Sequence, residues 1–148
     1  MTTGDVGRPV EVLLVEDNPG DVSPVIEAFR GSEMLHNLHT VGDGEEAMSF
    51  LHREGKYTDA PLPDIILLDL NLPKKDGREV LAEIKGDPVL RRIPVVIMTS
   101  SNAEEDIIYS YNHHVNSYIT KPVDPENFMD MFKALEDYWL RVVKLPSR

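Results

Sequence analysis

The sequence contains no cysteine, and that one absence removes disulfides, thiol nucleophiles and thiolate metal sites together. No run approaches the ~18 consecutive apolar residues of a membrane span. The opening stretch Met1–Pro9 is polar and lacks the apolar core of a signal peptide. These two absences lead to the expectation of a cytoplasmic protein with no membrane partner. Positive charge is scarce as well: 15 Lys and Arg stand against 26 Asp and Glu, a formal charge of -11. That is the wrong sign for a surface that attracts phosphate backbones or anionic lipid, so nucleic acid is not an expected partner. A GxxxxGK[ST] loop is also missing, which excludes a P-loop GTPase.

What is present fits one globular unit. At 148 residues with 41% hydrophobic content, the chain lies in the range of a single domain and can bury a core of its own. The expected layout is a flexible N-terminus over 1–9 and one domain over 10–148 with a long last helix, leaving no room for an output domain. Short strands are expected at Val10–Val15, Leu38–Val41, Asp64–Leu70, Pro94–Thr99 and Ser117–Thr120. Three of them are nearly continuous runs of Val, Ile, Leu or Met, as suits strands buried on both faces of a parallel sheet.

Helical patterns fall between them, at about Pro19–Arg30, Asp43–Arg53, Gly77–Gly86 and Ala103–Asn112, with a last one from Pro125 to about Lys144. Five β-α repeats imply a doubly wound, five-stranded parallel α/β sheet with right-handed crossovers. Asn18-Pro19 and Asp124-Pro125 each pair a capping residue with proline at the first helical position. Pro24 removes a backbone hydrogen bond one turn into the first helix, which predicts a kink there or a start nearer Ser23. Glu54–Pro63 reads as an irregular loop. Phe128, Met131, Phe132, Leu135, Trp139 and Val142 form the expected core stripe of the last helix. His113-His114 and Lys74-Lys75 read as solvated surface.

Ligands of doubly wound sheets sit beyond the C-terminal ends of the strands. Strand one ends in Glu16-Asp17, strand three in Asp69, strand four in Thr99-Ser100 and strand five in Lys121-Pro122. Singly, each is an ordinary loop acid, hydroxyl or exposed lysine. Jointly they place three carboxylates, a hydroxyl and an ammonium at one end of the sheet. Clustered carboxylates repel unless a cation sits among them, and a hard, oxygen-ligated ion such as Mg²⁺ suits the set. A carboxylate can also attack phosphorus, with the ion and Lys121 neutralising charge on the transferring oxygens and the Thr99 hydroxyl donating to one of them.

The motifs VLLVEDN, ILLDLNLPKKDG, VVIMTSS and YITKP, in that order and spacing, resemble the receiver domains of two-component response regulators from Val10 to about Val142. The resemblance implies a flavodoxin-like sheet of strand order 2-1-3-4-5 with five helices. It makes Asp69 the phosphoacceptor, Asp17 a direct Mg²⁺ ligand, Glu16 a ligand acting largely through water, and the backbone carbonyl of Asn71 a further ligand. It assigns Thr99 to follow the phosphoryl group, Lys121 to bind it, Pro122 to follow a cis peptide bond, and Tyr118 to turn inward on activation. The implied partner is a sensor histidine kinase. LDLNLPKKDGREVLAEIK, the loop Glu54–Pro63 and the long last helix further resemble the stand-alone regulators paired with phytochrome-type kinases.

Two rival readings are a Mg²⁺-dependent phosphohydrolase working through an aspartyl-phosphate, and an interaction module that is never phosphorylated. The hydrolases usually carry a second Asp two residues after the nucleophile, where this chain has Asn71. The complete acidic set argues against the second rival. Finally, Met129, Leu140 and Val143 fall to one side of the expected core stripe of the last helix, and Ile108 and Tyr111 on the preceding helix offer further apolar surface. They predict a homodimer through the face of the fourth helix, fifth strand and last helix.

Overall fold

In a computed structural model of the protein, residues 8–141 are described, with side chains as far as Leu135. The elements run β1 (Val10–Val15), α1 (Pro19–Arg30), β2 (His36–Val41), α2 (Gly44–Leu51), β3 (Ile65–Leu68), α3 (Gly77–Gly86), β4 (Val95–Thr99), α4 (Glu104–Asn112), β5 (Ser117–Thr120) and α5 (Pro125–Arg141). All strand pairs are parallel and the order is β2-β1-β3-β4-β5. The expected alternation and strand order are therefore both present.

Strand alternation sorts the apolar side chains onto two faces. Leu13, Val15, Ile66, Leu68, Val95 and Ile97 point to the side covered by α2 and α3, where Ala47, Phe50, Leu51, Val80, Leu81 and Ile84 complete one core. Val12, Leu14, Ile65, Leu67, Val96 and Met98 point to the other, closed by Val25, Ala28 and Phe29 of α1 and Phe128 and Phe132 of α5. Burial on both faces is why these strands read as unbroken apolar runs.

Several boundaries differ from expectation. β2 begins two residues earlier, at His36, and β3 is confined to Ile65–Leu68. Asp64 and Asp69 therefore flank β3, though backbone bonds to Glu11 and Val15 of β1 keep both in line with the sheet. Helix α1 runs unbroken through Pro24, with Asn18 capping the Gly20 amide and Pro19 in the first turn. The start near Ser23 is excluded because this cap fixes the N-terminus. Burial of Val25, Ala28 and Phe29 holds the helix beyond the bond that Pro24 cannot make. The loop after α2 contains a 3-10 turn, Gly55–Tyr57, whose Tyr57 ring packs 5.1 Å from that of Phe50.

The last helix supplies a correction. Met129, expected on an exposed flank, is buried in the same core as Phe128 and Phe132. The spacing i, i+3, i+4 puts Met129, Phe132 and Phe128 on one side of the helix, so the buried arc is centred near Phe132, not Leu135. Met131 and Leu135 lie only at its margin. The side chains of Trp139, Leu140, Val142 and Val143, like residues 1–7, fall outside what is described.

Gly77 fixes how α3 meets the end of β3. A Cβ there would lie 2.2 Å from the Asp69 carbonyl oxygen and 2.5 Å from the Leu70 Cα, both backbone atoms. Neither can move without displacing the strand end. Urea denaturation of Gly77→Ala should show a loss of about 3 kcal/mol, the upper end of ordinary overpacking. Gly86→Ala, where a Cβ meets nothing within 4 Å, should match or slightly exceed the wild type.

Candidate functional site

Backbone ladders carry each acidic or basic residue to the same sheet end. The Glu16 amide donates to the Val41 carbonyl, that of Asp69 to Val15, and that of Lys121 to Thr99. Glu16, Asp69 and Thr99 are buried while Asp17 is exposed. Glu16, Asp17 and Asp69 each offer a carboxylate oxygen, and these atoms lie within 4.8 Å of one another. Such an all-oxygen, multiply negative set, open on the Asp17 side, fits a divalent cation.

Lys121 holds this cluster together. Its Nζ lies 2.5 Å from Glu16 Oε1, 2.9 Å from Asp69 Oδ2 and 3.0 Å from Asp21 Oδ2. Three acceptors satisfy the three donors of a buried ammonium. Burial pulls Lys121 down, but the bonds it donates to Glu16, Asp69 and Asp21 outweigh it and hold the ammonium above its ordinary value. Glu16 is pushed up to about 7, chiefly by burial, with the negative charge of Asp69 adding to the effect and the bond from Lys121 opposing it. The peptide bond Lys121-Pro122 is cis, as the resemblance implies.

Around Asp69 the local chain turns back on itself. The Asn71 amide donates to Asp69 Oδ1 at 3.0 Å, and its side-chain Nδ2 donates to Thr99 Oγ1 at 3.3 Å. Thr99 thus joins the cluster through Asn71. Tyr118 is half-buried, and its hydroxyl donates to the Ser101 carbonyl at 2.9 Å. Burial is the main influence raising its hydroxyl above the usual tyrosine range. Of the residues expected on the outer face, Ile108 and Tyr111 are about half exposed.

Two features escaped the sequence reading. Asp21 was not counted among the acids, although an Asp in the first turn of a helix leaving β1 necessarily lies at the same sheet end. The second is the pair Arg78 and Asp106, which joins α3 to α4. Arg78 Nε and Nη2 reach the two Asp106 oxygens at 2.7 and 2.6 Å. The separation of 28 positions leaves no local signal for that pairing.

Comparison with known proteins agrees with this geometry. Residues 12–133 match the response regulator receiver domain. Response regulator Rcp1 of Synechocystis sp. is 50% identical over 139 residues, covering 94% of this chain and 95% of its own. Its structure, described as the Mn²⁺-bound form, superposes with a TM-score of 0.81 over 94% of this chain and all of that one. The phosphorylated cyanobacterial phytochrome response regulator RcpA is 51% identical, with a TM-score of 0.82 over 95% of this chain and 100% of its own. FilR2 of Methanothrix harundinacea, called a probable methanogenesis regulatory protein, is 39% identical over 145 residues, 95% of this chain and 92% of its own.

The tripod of carboxylates on one ammonium makes a testable energetic statement, because removing one partner leaves buried charge uncompensated. In EDTA, Lys121→Met should lower unfolding free energy by about 3 kcal/mol. Titrated Mg²⁺ or Mn²⁺ should recover part of that deficit and raise the melting temperature of the wild type, as expected of an ion that binds only the folded state. Calorimetry of Asp17→Ala should show that rise abolished.

Proposed function

The chain belongs to the response regulator receiver domain family, and from that membership we propose that it is a phosphorelay switch whose phosphoacceptor is Asp69. The observation that carries the residue assignment is that Asp69 is buried, bonded to Lys121, and within reach of two further carboxylates. An Asp69 oxygen attacks the phosphorus of a phosphohistidine. The P–N bond breaks, and its electron pair stays on the departing imidazole. A bound divalent cation, Mg²⁺ in this reading, would supply positive charge against the transferring oxygens. Asp17, Asp69 and the Asn71 carbonyl would hold that ion, with Glu16 acting through water. Lys121 binds a phosphoryl oxygen, with Glu16 and Asp21 as its remaining partners. Thr99 donates its hydroxyl to another, and Tyr118 reports the change to the outer face.

The kinase partner follows from the family, since a receiver takes its phosphoryl group from a histidine kinase. A phytochrome is our preferred kinase, because the description of RcpA, at 51% identity, names it a phytochrome response regulator. FilR2, at lower identity, is named for methanogenesis regulation instead. The near-complete mutual coverage with Rcp1 and RcpA supports reading this chain as one receiver domain. The phosphohydrolase alternative is disfavoured, because Asn71 carries an amide that engages Thr99 where those enzymes place an acid-base Asp.

We also propose a homodimer through α4, β5 and α5. With Met129 withdrawn into the core, it rests on the half-exposed Ile108 and Tyr111; Leu140 and Val143, expected beside them from the sequence, lie outside the described side chains. A twofold pairing would cover the patch on both copies at once.

Two measurements test these readings. Incubated with acetyl phosphate and Mg²⁺, the wild type should gain one phosphoryl group by intact mass, and Asp69→Asn should gain none. Light scattering over rising concentration should show a dimer for wild type and a monomer for Ile108→Glu; a wild type monomeric at every concentration, phosphorylated or not, would remove the dimer.

A further inference from the structure

A closed ring of polar contacts borders the phosphoacceptor and contains two residues with no role assigned so far. Arg78, near the start of α3, reaches in three directions. Its Nη1 touches Asp76 at 3.0 Å and the Leu70 carbonyl at 3.4 Å, and its Nε and Nη2 grip Asp106 with two parallel bonds. Asp106 also accepts from the Ser101 hydroxyl at 2.6 Å. The Ser101 amide points back to Thr99 Oγ1 at 3.4 Å, and that same oxygen accepts from Asn71. The circuit thus runs from Leu70 through Arg78, Asp106, Ser101 and Thr99 to Asn71, the residue after Leu70.

Tyr118 is tied to this ring at Ser101, whose carbonyl accepts its hydroxyl. The Arg78–Asp106 pair is well sheltered, with the two side chains only 30% and 13% exposed. A bidentate guanidinium-carboxylate bond is directional and charge-assisted, so it fixes orientation as well as distance. The Arg78 guanidinium, with help from the Ser101 hydroxyl, holds Asp106 down at about 2, so the pair stays ionised at physiological pH. A second tie, from the Tyr109 hydroxyl to the Arg78 carbonyl at 3.1 Å, keeps α3 and α4 in step.

We propose that Arg78 is a positioning residue for phosphoryl transfer: by clamping Asp106 it holds Ser101, and with it the Thr99 hydroxyl and the Tyr118 ring, in the arrangement seen here before any phosphoryl group arrives. The inference rests on the reading of Asp69 as phosphoacceptor. Its physical content is pre-organisation. A loop already placed need not be ordered during the reaction, and the observed rate scales with the fraction of molecules in the competent state. Merely joining two helices would instead affect melting alone.

The test uses the full chain labelled with 3-fluorotyrosine, the Tyr118 resonance being assigned with Tyr118→Phe. In Arg78→Gln and in Asp106→Asn the unphosphorylated protein should show a displaced Tyr118 resonance. Phosphorylation by acetyl phosphate and Mg²⁺ should slow on the order of tenfold, what losing a charge-assisted bond does to a two-state population. The double variant should be no slower than either single one, because both break the same clamp. Arg78→Lys, which keeps the charge but loses the fork, should fall between and serves if a neutral variant does not fold. An unmoved Tyr118 resonance in both single variants, unchanged rates accompanied only by a lower melting temperature, or losses that simply add would each overturn the proposal. A wild type that takes no phosphoryl group defeats the phosphoacceptor reading instead, while the resonance, which needs none, still decides the clamp.

Discussion

The geometry of this sheet end depends on one ammonium. Glu16, Asp17, Asp21 and Asp69 are delivered there by strand ends and a helix start, and nothing in the sheet itself lessens their mutual repulsion. Lys121, arriving from the far side just after β5, touches three of the four. Without a cation among them, like charges this close would repel. Burial pushes Glu16 up to about 7, and the bond from Lys121 opposes that rise. The lysine can hold its place because the β4–β5 ladder aligns Thr99 with Thr120, directly before it. The charge balance of the site is thus set by the register of β5 on the buried, largely apolar strand β4.

That dependence also explains which parts were legible in the sequence. Strand positions could be read because burial on both faces leaves apolar runs, and once strands are placed their C-terminal residues converge by topology alone. Glu16, Asp17, Asp69, Thr99 and Lys121 were all reachable in this way. Where the outcome turned on angles around a helix axis, the reading failed. Met129 was assigned outward because the stripe was centred on Leu135, whereas Phe128 and Phe132, the bulkiest side chains facing β1 and β3, decide how the helix sits. The exit of Asp64 and Asp69 from β3 turns on ladder details that composition does not encode.

Pairings between distant residues form a third class. Lys121 and Asp21 are 100 positions apart, and Arg78 and Asp106 are 28 apart. No periodicity links such partners, and either acid alone reads as a favourable charge in the first turn of its helix. Only the packing of α3 against α4 turns Asp106 from a helix-terminal charge into the anchor of a loop. The tertiary contact also explains why the segment after β4 can carry several polar residues beside a buried threonine: Ser101 and Asp106 satisfy one another.

Asn71 decides what kind of chemistry so charged a site can complete. A carboxylate at that position would add a further negative charge next to Asp69 and could take a proton from water, turning an acyl phosphate into a short-lived intermediate. The amide adds no charge and cannot serve as a base. Its two ends are already engaged, the backbone with Asp69 and the side chain with Thr99. In the proposed switch, a site so arranged would accept a group and register its presence through Thr99, and it lacks at this position the base that would remove it. Retention of the group is what a switch requires of its chemistry, since only a modified state that outlasts the encounter with its donor can alter which partner is bound.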